Sequence, residues 1–476
     1  MEKLFKLKEN KTSVKTEIVA GLTTFMTMAY IIALNPNILT GYGNDGTGGK
    51  LWNGVFLATC IASAIGMFCM AFIANKPFCL GPGMGLNSFF AIVVGNIVAM
   101  TGCTYLESFQ AALVIILAEG ILFTVLSICN IREKIVDAIP LGVRLGIGPA
   151  IGLMLLNIGV GSNVYIANDE GTQFYVMRDF FGSLTAGVAK DTMGSAYPVM
   201  VLSVITMFVG LFAIVILNKK GVKGCVILGM LIAAIIYWAG DYFVLGNNPF
   251  ASLATATFIP QFGDMAETTL FKFDFHEFFQ IGWFTAITLI ITFCIIDMFD
   301  TIGTLVGTAS RAGMVDKDGN MPQMKEALLA DAIGTVAGAV TGTSTITTFV
   351  ESASGVEAGG RTGLTSLTCG IMFFLCIFIA PIAAIIPAAA TSSALIYVGI
   401  LMVSNLKNIK WDDISVTVPV AIMLIAMPIS GSIGHGIGLG LISYTVIKLF
   451  TGKAKDVSVV TYIISLLFLV KFFLAV

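Results

Sequence analysis

The stretch TGTSTITTFVESASG, residues 341–355, interrupts a long apolar region with threonine, serine and glycine. Its first part, from Thr343 to Thr348, is an alternating, β-branched stretch, and Glu351 then opens a segment suited to a short helix. In a membrane such a break is expected only where the backbone is buried in protein or lines a cavity. The stretch therefore predicts a buried functional site in a membrane-spanning fold.

A second break lies in the first half of the chain, at PFCLGPGMGLNSFF, residues 77–90. Glycine and proline interrupt an apolar run there, and a helix is expected to resume near Leu86. Each break falls in the third span of its half of the chain. Matching breaks of this kind point to the substrate site of a transporter, because two half-helix ends then face each other near the bilayer midplane.

The composition requires a membrane as solvent, since 57% of the 476 residues are hydrophobic and only 11% are charged. Apolar segments of spanning length flank a polar stretch and follow a basic N-terminus, which predicts a retained first span. The predicted fold is an all-α polytopic membrane protein of about 14 transmembrane spans in two inverted repeats. Its parts are a first repeat at 1–245, an extracytoplasmic connecting loop at 246–279, a second repeat at 280–450 and a C-terminal apolar segment at 451–476.

The loop charges predict the orientation. With the N-terminus in the cytoplasm, most lysines and arginines fall on the cytoplasmic side, and the opposite side receives only Lys50, Arg178, Lys190 and Lys272. Cytoplasmic loops carry the excess of such residues in membrane proteins. The sequence therefore predicts a multi-pass protein of the cell membrane with a cytoplasmic N-terminus.

Other functional classes find no support in the residue pattern. The nine cysteines are scattered singly and the two histidines are far apart, so a disulfide framework, a metal site or a bound cofactor is not expected. Nothing favours nucleic-acid binding. A membrane-embedded enzyme would need a nucleophile–base or metal constellation, and none is recognisable.

Ionisable residues inside spans mark cavities or partners, because each costs about 2.5–3.5 kcal/mol at a helix centre. In CIIDMFDTIGTLVGT, residues 294–308, Asp297 and Asp300 lie on one face of a helix together with threonines. If they are close to Glu351, these carboxylates should repel each other when ionised, so one is expected to hold a proton, as a symporter requires. Sodium would use the same oxygens and stays open as an alternative.

Two further carboxylates are interpreted as structural. Asp331, beside Lys325 in the sequence, is interpreted as a helix-end or loop-pairing residue, and Glu119 as a contact to a neighbouring helix. No arginine lies deep in a span, so the site lacks a fixed cation for an anionic substrate. A neutral molecule with N–H donors fits better, because a carboxylate accepts two such bonds in a fork.

Four motifs resemble the adenine/guanine/hypoxanthine permeases of the azaguanine-resistance type, within the nucleobase/ascorbate transporter superfamily. They are TEIVAGLTTFMTMAYIIALNPNIL (16–39), GPGMGLNSFFA (81–91), FDTIGTLVG (299–307) and TGTSTITTFVESASGVEAGGRTGLTSL (341–367). The resemblance implies short strands in spans three and ten and two domains. The core domain would comprise about 17–130 plus 280–388, and the gate domain about 139–245 plus 391–450.

The resemblance also implies roles for individual residues. Glu351 matches the span-ten carboxylate that binds the base, Asp297 or Asp300 the acidic position of span eight, and Asn87 the polar residue of span three. The expected substrate-binding set is Glu351, Asp297, Asp300, Asn87, Thr348, Phe349, Gly85 and Ser352, with proton coupling assigned to Asp300, Asp297 and Glu351. Phe349 is suited either to stacking on a flat heterocycle or to plain packing.

The expected function is import of purine nucleobases by proton symport, with an elevator-like alternating-access mechanism. Uracil-type members of the superfamily carry a glutamate followed by a histidine in span eight, whereas this chain has aspartates and threonine there, which favours a purine. A permease of the same fold for xanthine or uracil is the alternative. The expected partners are a purine, a proton and the lipid bilayer, and the sequence leaves a homodimer open.

Overall fold

The computed structural model describes residues 2–43, 45–129, 140–160, 194, 197–222, 224–254, 256–311, 314, 321, 323–409, 411–430 and 433–474. Of the four cations predicted on the extracytoplasmic side, Arg178 and Lys190 lie outside the described residues.

Helices make up most of the described chain. In chain order they are α1 Glu2–Phe5, α2 Val14–Met28, α3 Ile31–Leu39, α4 Lys50–Cys69, α5 Met84–Thr101, α6 Tyr105–Ile128, α7 Leu141–Val160, α8 Tyr197–Lys219, α9 Cys225–Phe243, α10 Phe262–Thr268, α11 Phe275–Gln280, α12 Trp283–Arg311, α13 Met324–Thr341, α14 Ser352–Glu357, α15 Gly363–Leu375, α16 Ala380–Ala384, α17 Ala388–Val403, α18 Ile414–Ser430, α19 Ile433–Phe450 and α20 Val459–Leu474. Two strands accompany them, β1 Leu80–Pro82 and β2 Ile346–Thr348.

Membrane-spanning helices dominate this architecture. Among the described residues, ten helical segments are long and apolar enough to cross a bilayer, and three shorter apolar helices lie at Trp283–Met298, Ile414–Ser430 and Val459–Val470. The fold class predicted from the sequence is confirmed, with a polytopic helical architecture and one short strand in each predicted break.

The chain divides into two compact units. The first comprises Met1–Ile139, Ile259–Ala380 and Leu466–Val476, and the second Pro140–Phe258 and Pro381–Ser465. Both breaks and all of the predicted site residues belong to the first unit. The second unit contains α7 to α9 and α17 to α19.

The two breaks pair with each other as an antiparallel two-stranded sheet in the first unit. Leu80 lies opposite Thr348 and Pro82 opposite Ile346. Beyond the strands, the N–H of Gly83 donates to the carbonyl of Thr345 (3.1 Å). The unwound backbone of one half of the chain therefore satisfies that of the other, as membrane depth requires.

Glycines let the helices approach the strand pair. Ile346 of β2 is fully buried, and a Cβ on Gly66 of α4 or on Gly334 of α13 would come within 3.3 Å and 3.0 Å of its Cγ2 atom. A Cβ on Gly334 would also lie 3.4 Å from the Cα of Gly66. Small residues thus allow α4 and α13 to enclose the isoleucine without a void.

A buried carboxylate fixes the beginning of α15. Glu17 of α2, with no exposed surface, accepts hydrogen bonds from the backbone N–H groups of Arg361 (2.8 Å) and Thr362 (3.2 Å) and from the hydroxyl of Thr365 (2.6 Å). Arg361 and the N-cap residue Thr362 lie immediately before α15, and a negative charge is favourable beside the N-terminus of a helix. Glu17 therefore ties the first span to the chain that follows α14.

Small residues also determine the packing in the second unit. A Cβ on Gly152 of α7 would lie 2.7 Å from the carbonyl oxygen of Gly399 of α17, and a Cβ on Gly399 would lie 2.8 Å from that of Gly152. The two helices therefore cross with their backbones in contact, a geometry that larger residues exclude.

Candidate transport site

Glu351 lies between β2 and α14, at the N-cap position of that short helix, and is half-buried. The hydroxyl of Tyr30 donates a hydrogen bond to its Oε1 atom (2.9 Å), and Tyr30 itself is fully buried. The tyrosine stands where the first span is interrupted, between the end of α2 and the start of α3. A fixed donor on one carboxylate oxygen orients the group and leaves the second oxygen for another partner.

The first span contacts the Glu351 segment a second time. Ser354 of α14 donates from its hydroxyl to the carbonyl of Glu351 (2.7 Å) and also lies 3.0 Å from the hydroxyl of Thr27. Sequence reasoning singled out neither Tyr30 nor this serine–threonine pair. The first span is therefore a third element of the site beside the two breaks.

Asp300 lies next to the other break. A Cβ on Gly83, the residue that precedes α5, would come 3.7 Å from Asp300 Oδ2. The aspartate is half-buried and lies within electrostatic range of Asp297 and Glu351. The structure thus brings together the three carboxylates predicted from the sequence, and two of them, Asp300 and Glu351, retain some exposure.

Asp297 belongs to a fully buried polar cluster. The hydroxyl of Thr301 lies 3.1 Å from Asp297 Oδ1, 3.1 Å from each carboxylate oxygen of Asp331 and 2.6 Å from the hydroxyl of Thr347. The interpretation of Asp331 as a helix-end or loop-pairing residue is wrong. Asp331 lies about two turns inside α13, where its side chain meets α12 in the protein interior.

Asn87 joins the two breaks. Its side-chain nitrogen donates to the carbonyl of Pro82 (3.3 Å), and its oxygen accepts a hydrogen bond from the hydroxyl of Ser344. Glu119 acts in a similar way, since its Oε2 atom accepts a hydrogen bond from Thr345 (2.8 Å). Glu119 therefore makes a structural contact, and this contact reaches the extended segment before β2.

The remaining predicted residues surround the strand pair. Thr348 is 2% exposed, and its hydroxyl has no hydrogen-bond partner within the described part of the chain. Phe349 packs beside Gly81, where an added Cβ would lie 3.1 Å from the ring. Ser352 accepts a hydrogen bond from the N–H of Cys79 (2.9 Å), and Gly85 is buried in the first turn of α5.

Paired broken helices and an interior cluster of carboxylates in a multi-pass helical protein define a membrane transporter. The sequence matches the family designated Xan_ur_permease and described as Permease family over residues 15–437, and the chain belongs to this family. The protein is therefore a permease and not an enzyme.

Individual relatives agree with this assignment. The chain is 35% identical over 472 residues to the adenine permease AdeP of Escherichia coli (strain K12), and the alignment covers 99% of this chain and 95% of that protein. It is 36% identical over 474 residues to the guanine/hypoxanthine permease PbuO of Bacillus subtilis (strain 168), covering 99% and 100%. The resemblance inferred from the four motifs is confirmed.

A solved structure shows the same fold. The transmembrane domain of a cyanobacterium bicarbonate transporter, BicA, superimposes with a TM-score of 0.61 at 14% identity, covering 88% of this chain and 97% of that one. At this level of identity the likeness concerns the fold alone.

Proposed function

We propose that this permease imports purine nucleobases by proton symport. The observation that carries the proposal is the half-buried carboxylate of Glu351, which is oriented by Tyr30 beside two paired breaks. The names of the relatives, adenine permease and guanine/hypoxanthine permease, supply the substrate class. Xanthine and uracil are the competing substrates on the same fold.

The chemistry of the site suits a neutral heterocycle with N–H donors. Glu351 presents one oxygen that Tyr30 does not occupy, and this oxygen accepts an N–H group of the base. The hydroxyl of Thr348, which has no hydrogen-bond partner among the described residues, offers a further donor or acceptor in β2, and Phe349 offers an aromatic face. Asp300, beside the second break, is the proposed carrier of the coupling proton together with Asp297 and Glu351.

The proposed mechanism is alternating access in the cell membrane, with the N-terminus in the cytoplasm. The first unit corresponds to the proposed core domain, which carries the base and the proton, and the second unit to the proposed gate domain. A proton that enters with the base also draws on the membrane potential, about 2.3 kcal/mol per 100 mV. The potential and the pH gradient together drive uptake against a concentration gradient.

Uptake of radiolabelled adenine, guanine and hypoxanthine into cells that lack their own purine uptake tests the proposal. We expect saturable uptake of at least one base, its collapse with a protonophore, no change when sodium is replaced by choline, and its loss in Glu351→Gln. Glu107→Gln is the matched control, because Glu107 caps the exposed start of α6. Well-expressed protein that takes up no purine would overturn the substrate assignment, and competition by unlabelled uracil or xanthine would reassign it.

A further inference from the structure

The buried cluster of Asp297, Thr301, Asp331 and Thr347 joins three elements of the first unit: α12, α13 and β2. None of the four residues is more than 1% exposed. The Thr301 hydroxyl is at its centre, with one carboxylate oxygen of Asp297 and both of Asp331 at 3.1 Å and the hydroxyl of Thr347 at 2.6 Å. Each of these contacts is within hydrogen-bond distance.

The hydrogens available to this cluster can be counted. Thr301 makes contacts with three groups, and each hydrogen bond requires one hydrogen between its two oxygens. The two threonine hydroxyls contribute one hydrogen each, whereas an ionised carboxylate is an acceptor only. Without a further hydrogen, the Thr301 hydroxyl must share its single hydrogen between the two aspartates, whereas a proton on one carboxyl group gives each of the three contacts a hydrogen of its own.

The electrostatic surroundings favour the same conclusion. The elements packed around the cluster carry further charged groups, of which Glu107 on α6, Lys325 on α13 and Glu357 on α14 are exposed and Glu326 is half-buried near the start of α13. Glu119 on α6 is buried, and Asp300 on α12 and Glu351 before α14 are half-buried, so each of these three adds negative charge to the interior when ionised. The neighbouring β1, β2 and α5 contain no ionisable residue. Two ionised aspartates in this interior would therefore repel each other and their neighbours.

We infer that Asp297 and Asp331 share one proton through the Thr301 hydroxyl, and that Asp331 is a further proton-coupling residue. The inference rests on the proposed proton symport. When the shared proton leaves, one Thr301 hydrogen has to serve both ionised carboxylates, and the bonds that hold Thr301 to the two aspartates weaken. Thr347 lies in β2, immediately before Thr348 and four residues before Glu351. The loss of the proton therefore changes the hydrogen bonding that holds the strand leading into the substrate site.

Purified protein in liposomes tests this assignment with two readouts. The first is accumulation of the labelled base driven by a pH gradient at zero membrane potential, where one coupled proton supports about tenfold accumulation per pH unit. The second is exchange of labelled for unlabelled base with no gradient, which needs binding and movement but no net proton transfer. We expect Asp331→Asn to lose the roughly tenfold accumulation while exchange continues, because the amide supplies a hydrogen but cannot release it.

Variants of Thr301 form a second set, which tests the shared proton even if Asp331→Asn does not fold. Thr301→Val removes the bridging hydroxyl and is expected to lose accumulation, whereas Thr301→Ser keeps the hydroxyl and is expected to restore it. Thr292→Val is the matched control, because Thr292 is a buried threonine of the same helix whose hydroxyl donates to the carbonyl of Thr288 (2.7 Å), within its own helix. It should accumulate base as the wild type does.

The outcomes separate the inference from the proposed function. If the wild type exchanges base but does not respond to the pH gradient, the proposed proton symport fails. If the wild type responds and both Asp331→Asn and Thr301→Val accumulate base normally, the symport stands and the shared proton is refuted. Folded Asp331→Asn that loses exchange together with accumulation would also overturn the inference, because Asp331 would then be required for binding or movement.

Discussion

Replacing Tyr30 by phenylalanine removes one hydroxyl and keeps the ring that fills the interior of the first unit. The Tyr30 hydroxyl donates to Glu351 Oε1 at 2.9 Å, and without this bond the carboxylate is free to sample other rotamers. Restricting one such side chain on binding costs about 0.5–1.5 kcal/mol, and 1.4 kcal/mol corresponds to a tenfold change in an equilibrium constant. The apparent affinity for the base should therefore fall about two- to twelve-fold in Tyr30→Phe.

The measurement is the KM of labelled-base uptake at matched expression, together with the base concentration needed to stabilise the purified protein against heat. Tyr105→Phe is the control, because the Tyr105 hydroxyl donates to the carbonyl of Leu39 at a similar distance, 2.9 Å, away from Glu351. We expect a higher KM in Tyr30→Phe with the maximal rate largely kept, and no change in Tyr105→Phe. An unchanged KM in Tyr30→Phe, or an equal shift in the control, would refute the idea that Tyr30 orients Glu351.

Two predictions concern the stability of the purified protein, measured by its unfolding temperature. Glu17→Gln should lose about 1.5–3 kcal/mol of unfolding free energy, because the amide nitrogen then faces hydrogen-bond donors where a carboxylate oxygen accepted their bonds. Glu267→Gln breaks an exposed ion pair and should lose about 0–1 kcal/mol. Equal losses would contradict the role assigned to Glu17. Gly355→Ala should destabilise by about 1–3 kcal/mol, since the new Cβ would lie 2.1 Å from Thr24 Oγ1, while Gly95→Ala has nothing within 4 Å. A Gly355→Ala protein as stable as Gly95→Ala would show that α14 shifts freely.

The parts of the site that sequence reasoning found carry local signals. Glycine and proline in an apolar run predicted the break at 77–90, and β-branched residues before Glu351 predicted the break at 341–355. Both strands lie within those segments. Asp297 and Asp300 were visible because carboxylates are rare inside spans. These signals concern each segment alone, so a single sequence is sufficient to read them.

The parts that were missed depend on partners far away in the chain. Tyr30 has no local feature that separates it from an interfacial or packed tyrosine, and its partner Glu351 is 321 positions further on. Asp331 has a nearby lysine in the sequence, which suggested a helix end, whereas α13 had already begun at Met324. Only the fold shows that Asp331 meets Thr301 and that Tyr30 meets Glu351.

The pairing of β1 with β2 has a consequence for the synthesis of the protein. β1 enters the membrane long before β2 has been translated, and its backbone N–H and C=O groups then lack their partners, at several kcal/mol for each group left unsatisfied in lipid. Contacts between distant parts of a chain also form slowly. The first half must therefore wait in a protein-lined or hydrated environment until the second half arrives, and the transport site is among the last parts of the molecule to assemble.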